Sequence, residues 1–180
     1  MIFSILAFLA LIISICIKER KKSLEIQSIN CLFEALYAYY IGALTGAYLG
    51  IINFIRSRFF MKKDKINPKV YFGLLILFET IVIANCANSW QGLISMVPTV
   101  GTIVRTYCLW QSNMELVRLS GMISGICYGY YYAYYQSWFI VLGYIILFFV
   151  SLINFYKNDM KNSYIEKGKK LWVEKKENVV

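Results

Sequence analysis

The sequence predicts an all-α integral membrane protein with seven transmembrane helices, arranged as two parallel triple-helix repeats joined by a lone fourth helix, a 3+1+3 plan. Three observations carry that expectation. Hydrophobic residues make up 59% of the 180-residue chain against 16% charged, with a mean hydropathy of +0.55, which leaves too little polar surface to coat a water-soluble domain. The apolar residues fall in long unbroken runs, and the lysines and arginines fall between alternate runs. A short motif also recurs near the end of each half.

A bilayer core asks for roughly 17 to 25 apolar residues per helix. The first run, Ile2 to Ile17, is short; nothing basic precedes it and no small-residue cleavage site follows, so it reads as a retained span rather than a secretion signal. The second, Leu24 to Tyr40, ends in tyrosines at the Ile41-Gly42 turn. The third, Ala43 to Phe60, ends among arginines. The fourth, fifth, sixth and seventh are Val70 to Cys86, Leu93 to Trp110, Leu116 to Tyr135 and Trp138 to Tyr156. A membrane barrel would need alternating apolar and polar residues, which these runs lack.

Positive loops stay cytoplasmic. The first loop carries Lys18, Arg20, Lys21 and Lys22; the third carries Arg56, Arg58, Lys62, Lys63, Lys65 and Lys69; the tail carries Lys157, Lys161, Lys167, Lys169, Lys170, Lys175 and Lys176. The connections Ile41-Gly42, 87–91 and Gln136-Ser137 carry none, and the fifth, Gln111 to Glu115 with Arg118 beyond it, is weakly charged. The amino terminus is therefore expected outside and the carboxyl terminus in the cytoplasm of a bacterial inner membrane. The net charge of +9 sits in these blocks and not along an amphipathic face, which points to the lipid bilayer and its anionic lipids as partners and away from nucleic acid. Asp64 with the lysines around it, and the Lys/Glu-rich tail with Leu171, Trp172 and Val173, read as a solvated, lipid-attracted face.

The absence of histidine excludes His-based catalysis, His-ligated metals and His pH switches. Cys16, Cys31, Cys86, Cys108 and Cys127 show no CxxC spacing and read as small packing residues. No paired carboxylates, activated nucleophile or ligand set stands out, so an enzyme is not expected, and neither a cofactor nor a metal is.

Gly50-Ile-Ile-Asn-Phe-Ile-Arg56 at the end of the third run resembles Ser151-Leu-Ile-Asn-Phe-Tyr-Lys157 at the end of the seventh. Each half has a tyrosine-rich helix (Tyr37, Tyr39, Tyr40; Tyr128 to Tyr135) leading into a neutral turn. Cys16 precedes Ser28 by twelve residues, as Cys108 precedes Ser120. Spans one to three thus superimpose on five to seven. Three spans end on the side opposite their start, so like orientation of the halves requires the fourth helix between them. The expected organisation is a first repeat over 1–62, a linker with the fourth helix over 63–91, a second repeat over 92–157 and a basic tail over 158–180.

Pro98-Thr-Val-Gly-Thr-Ile-Val-Arg-Thr106, continuing Tyr107-Cys-Leu-Trp110, resembles the Pro-x-x-Gly-Thr-Ile-Val-x-Thr-aromatic segment of the YgjV-type bacterial inner-membrane proteins, and the Asn-x-x-Arg/Lys ends at Asn53 and Asn154 are similar too. The resemblance covers roughly 22–157. It implies a small multi-spanning inner-membrane protein distantly similar to the PQ-loop and SWEET transporter group, hence a SWEET-like fold, and brings no defined substrate. The chain departs from the wider group in lacking a proline in span one.

Ionisable groups inside a span cost about 2.5 to 3.5 kcal/mol each on insertion scales, which singles out Glu34, Glu79 and Arg105. Their axial offsets are roughly 6 to 9 Å at 1.5 Å per residue. Arg105 is expected to pair with a glutamate or to hold an anionic group of a solute; the alternative leaves it snorkelling to the interface. Pro98, Thr102, Arg105 and Thr106 share one helix face and predict a cavity lining, with Pro98 as a hinge. Asn53 and Asn154 occupy matching positions, either contacting a solute or bridging helices. Tyr128, Tyr131 and Tyr135 share a face and offer ring surfaces, or form an interfacial belt. Gly42, Gly46 and Gly50, and Gly121, Gly125 and Gly129, read as close-packing stripes. The expected function is transport of a small-molecule solute by alternating access between the repeats; the alternative is a non-transporting receptor or accessory subunit. With both halves in one chain, an oligomer is not required.

Overall fold

The computed structural model describes residues 2–17, 19–63, 66–111, 114–154 and 156, with the side chains of 15, 16, 20, 114, 115, 118 and 154 outside the described set. Seven helices are described: α1 Ile2–Cys16, α2 Arg20–Tyr40, α3 Leu44–Phe60, α4 Pro68–Asn88, α5 Met96–Gln111, α6 Met114–Tyr134 and α7 Trp138–Asn154. A 3-10 turn, Leu93–Ser95, leads into α5. The described residues contain no strand. Every expected span is a helix; the basic tail expected over 158–180 lies outside the described residues.

The helix ends show why the boundaries moved. Helix α2 begins at Arg20, a turn before Leu24, since Arg and Lys are good helix formers and Lys22 pairs with Glu19 at 2.7 Å across that turn. Helix α4 begins at Pro68, whose missing N–H costs nothing in a first turn, and the Asn67 side chain caps it by accepting from the Lys69 amide at 3.0 Å. Arg56 and Arg58, counted with the charges of the third loop, lie inside α3, which ends at Phe60 where the third span was expected to end. Arg56 is only 1% exposed.

Two stretches, Pro68–Asn88 and Leu93–Gln111, are long and apolar enough to cross a membrane by length and composition alone; Ile2–Ser14 and Trp138–Ile153 are apolar but shorter. Helices α2, α3 and α6 carry polar residues that lower their average, and these point inward: Asn30 and Glu34, Asn53 and Arg56, Ser120 and Ser124 are all buried. Their outward faces hold Ile29, Leu32 and Leu36, then Tyr48, Ile51 and Ile55, then Leu119 and Ile126. Polar groups inside and bulky apolar groups outside is the distribution a lipid solvent demands.

Helix α2 packs against α1 and α3, and α6 against α5 and α7. Helix α1 meets α7, and α3 meets α5, so six helices close a ring in the order α1, α2, α3, α5, α6, α7. Helix α4 lies on the α3 and α5 seam. It buries one narrow stripe, Tyr71, Leu75, Phe78 and Val82, as a peripheral helix should. The three connections without lysine or arginine gather at one end. There the Thr45 hydroxyl donates to the Ser89 carbonyl at 2.7 Å, Gln91 Nε2 donates to the Gly42 carbonyl at 2.8 Å, and the Tyr135 hydroxyl donates to Gln91 Oε1 at 3.0 Å. At the basic end Lys63 Nζ donates to the Trp110 carbonyl at 3.2 Å and sits over the Tyr71 ring at 5.3 Å, so this lysine belongs to the packing and not to the solvated face expected of it.

The glycine stripes are partly as expected. A Cβ on Gly50 would meet Ala35 Cβ at 2.7 Å and the Cys31 carbonyl at 2.9 Å, and one on Gly125 would meet the Tyr144 carbonyl at 3.2 Å. Gly42 instead forms the turn between α2 and α3 at φ +77, where L side chains are strained. Gly50→Ala is therefore expected to destabilise the protein by about 1–3 kcal/mol by forcing α2 from α3, whereas Gly73→Ala, where nothing lies within 4 Å, is expected to be neutral or mildly stabilising. Thermal unfolding in one detergent checks both.

Candidate functional site

Along α5, Pro98, Thr102 and Thr106 recur every four residues and form one buried stripe. The Thr102 hydroxyl donates to the Pro98 carbonyl and the Thr106 hydroxyl to the Thr102 carbonyl, each at 2.8 Å. Each threonine thus spends its one proton on its own helix and presents an acceptor sideways. Pro98 sits in the first turn of α5, three residues after the 3-10 turn ends at Ser95. Its missing N–H there removes no interior helical bond.

Those sideways oxygens meet the neighbouring helices α6 and α3. Thr102 Oγ1 lies 2.5 Å from the Tyr128 hydroxyl of α6; since Thr102 has already donated, Tyr128 is the donor. Asn53 Nδ2 of α3 donates to the same tyrosine oxygen at 3.1 Å. A directional chain, Asn53 to Tyr128 to Thr102 to the Pro98 carbonyl, crosses three helices. Beside it Arg56 Nη1 donates to Thr106 Oγ1 at 2.5 Å. Two atoms of this seam, Arg56 Nε and Asn53 Oδ1, are buried with no partner.

Arg105, half-buried on the same stretch of α5, donates from Nη1 to Ser124 Oγ at 3.0 Å. The Gln27 carboxamide, turned so that its oxygen faces the guanidinium, accepts from Nη2 at 2.6 Å and Nε at 3.1 Å. The expected pairing with Glu34 or Glu79 is therefore absent: the ion pairs among the described residues are Lys22–Glu19 and Arg58–Glu25. Arg105 has found neutral acceptors on α6 and α2, which its long fork reaches more directly. Glu34 is 5% exposed on α2 and accepts from the Tyr144 hydroxyl of α7 at 2.7 Å. Tyr128 and Tyr132 stack on Tyr144 with ring centroids 5.3 and 6.2 Å away. Glu79, half-buried on α4, has Oε2 without a partner and lies in electrostatic reach of Arg56.

The tyrosine face is used differently from the expectation. Tyr131 accepts from the Gly46 amide at 3.0 Å, satisfying one of the orphan donors at the start of α3. Tyr128 is covered by Tyr144, and Tyr135 by Tyr131 at 5.2 Å, so their rings pack on one another instead of standing open. The Asn154 side chain, like Cys16, lies outside the described set; the other cysteines are free, Cys31 and Cys108 being buried. No group of three metal-binding side chains occurs among the described residues. A cavity of about 420 Å³ lies away from the seam, at the basic end, lined by Lys63, Ile66, Pro68, Tyr71, Trp110 and Gln111.

The residue that sequence reasoning missed is Arg56. Its signal was the spacing of three from Asn53, which puts both on one face of α3, but its neighbourhood of Arg58, Lys62 and Lys63 made it look like loop charge.

An all-helical bundle with an apolar exterior and a buried polar seam defines an integral membrane protein. The chain belongs to the Imp-YgjV family, described as bacterial inner membrane protein, which matches residues 1–162. No curated protein and no solved structure matches it, so the wider likeness to the PQ-loop and SWEET group has no such match behind it.

Removing the donor that holds Glu34 leaves a buried carboxyl short of a partner. Tyr144→Phe is expected to cost about 1–3 kcal/mol in unfolding experiments, while Tyr134→Phe, at an exposed ring, is expected to leave stability unchanged.

Proposed function

We propose that this inner-membrane protein carries a small polar solute by alternating access, with its site on the seam where α3 meets α5 and α6. The observation that carries this proposal is the buried chain from Asn53 through Tyr128 to Thr102, with Arg56 on Thr106 beside it: Asn53 and Arg56 of the first half donate to Tyr128 and Thr106 of the second. Apolar packing would hold two halves together at less cost. A polar seam at the interface suits halves that separate and re-form around a solute able to replace those partners.

The repeat organisation supports it. Exchanging α1–α3 with α5–α7 exchanges the α1 and α7 contact with the α3 and α5 contact, and in each half the middle helix touches both others. Ser28 and Ser120, matched in the sequence, are both fully buried and both donate to the carbonyl three residues back, at 2.6 and 2.8 Å. In each half a glycine marks close approach of the middle helix to the last: Gly50 of α3 faces Ala35 of α2, and Gly121 of α6 faces Ser151 of α7. On this plan residues 1–62 and 92–157 are the moving units, 63–91 carries the connector, and 158–180 is a tail. The basic end faces the cytoplasm and its anionic lipids, with the amino terminus outside. One chain suffices for a complete pathway.

A second reading, a receptor or accessory subunit of the same architecture, is favoured by one observation: a cavity of about 420 Å³ lies at the basic end and not on the seam. Thr102→Cys in a background free of other cysteines separates them. Alternating access predicts that a membrane-impermeant thiol reagent reaches position 102 from both faces, in right-side-out and in inverted vesicles. Labelling from one face only, or from neither, favours the static protein.

A further inference from the structure

The cations on the seam make no direct ion pair. Arg56 is 1% exposed, its Nη1 donates to a neutral hydroxyl, Nε has no partner, and no carboxylate among the described residues lies within 4 Å of it. A second guanidinium, Arg105, lies in electrostatic reach of it and is likewise held only by neutral acceptors, Ser124 and Gln27. A buried cation without a counter-ion costs several kcal/mol, and a like charge nearby raises that cost. Both carboxylates in electrostatic reach stop short of contact: Glu34 accepts from Tyr144, and Glu79 stands on the peripheral α4, each outside ion-pair distance of the arginines.

We propose that Arg56 and Arg105 together bind a small soluble oxyanion, a carboxylate or a phosphoryl group, as the contacting counter-ion these cations lack; the proposal rests on the transport reading for how the anion reaches so enclosed a place. Planar guanidinium forks match two-oxygen acceptors and keep their charge at any physiological pH, so two of them select for charge and shape where one lysine would not. Asn53 stands one turn from Arg56, and its amide has a second proton that can orient a polar ligand without competing for its charge. A lipid headgroup carries the same chemistry, but the burial of Arg56 inside the helix ring favours a free anion.

The test uses the full-length protein in phosphatidylcholine nanodiscs, with inorganic phosphate, acetate and glucose as probes at matched ionic strength, read by thermal unfolding and calorimetry. Phosphate or acetate is expected to stabilise the protein saturably and glucose to have no effect. Arg56→Gln and Arg105→Gln are each expected to weaken the anion at least tenfold. Should Arg56→Gln fail to fold, Arg105→Gln, at a half-buried position, carries the same prediction alone. An equal response to glucose, no response to either anion, or unaltered binding in a folded arginine variant overturns the site. An arm in phosphatidylglycerol nanodiscs distinguishes the source: loss of the phosphate response there assigns the site to lipid and overturns the free anion. Anion binding without two-sided labelling at position 102 defeats transport and keeps the site; two-sided labelling without anion binding does the reverse.

Discussion

A guanidinium sealed inside an apolar bundle constrains everything around it. Arg56 has no water to fall back on, so α5 must offer it an oxygen, and Thr106 does so because its own proton is already committed one turn back. The same device, a threonine that spends its proton within the helix and turns its lone pairs outward, lets Thr102 receive Tyr128. Three helices from two halves of the chain are thereby held in register by directional bonds, where apolar contacts alone would let them slide.

That register depends on close approach. Small residues at Gly50, Gly101 and Gly125 bring α2 to α3, α5 to α6 and α6 to α7 near enough for the side chains at the centre to meet. Tyrosines then fill the outer half of the ring by stacking on one another, and Tyr144 brings the Glu34 carboxyl into the same assembly. Helix α4, with its single buried stripe, closes the side where α3 and α5 touch over a short length.

Much of this was legible in the residues. Continuous apolar runs located all seven helices, because lipid imposes the same requirement on each, and the four-residue spacing of Pro98, Thr102 and Thr106 showed their common face. Partners were not legible. Glu34 meets Tyr144 across 110 residues and Asn53 meets Tyr128 across 75, distances at which only tertiary packing decides who is opposite whom. Arg105 was matched to carboxylates by charge, yet Ser124 and Gln27 lie nearer its fork. Arg56 was hidden for a different reason: a cation at the end of an apolar run beside other cations looks like an interface residue, and its burial depends on the packing of Phe60, four residues on, against Tyr71 and Phe78.

The strength of the Arg56 and Thr106 interaction is open to direct measurement by a double-mutant cycle. Reversible unfolding of the wild type, Arg56→Gln, Thr106→Val and the double variant in one detergent yields the coupling between the two side chains. A buried, charge-assisted bond predicts a coupling of about 1 kcal/mol or more. Free energies that add to within about 0.3 kcal/mol would show that the two residues do not hold the halves together.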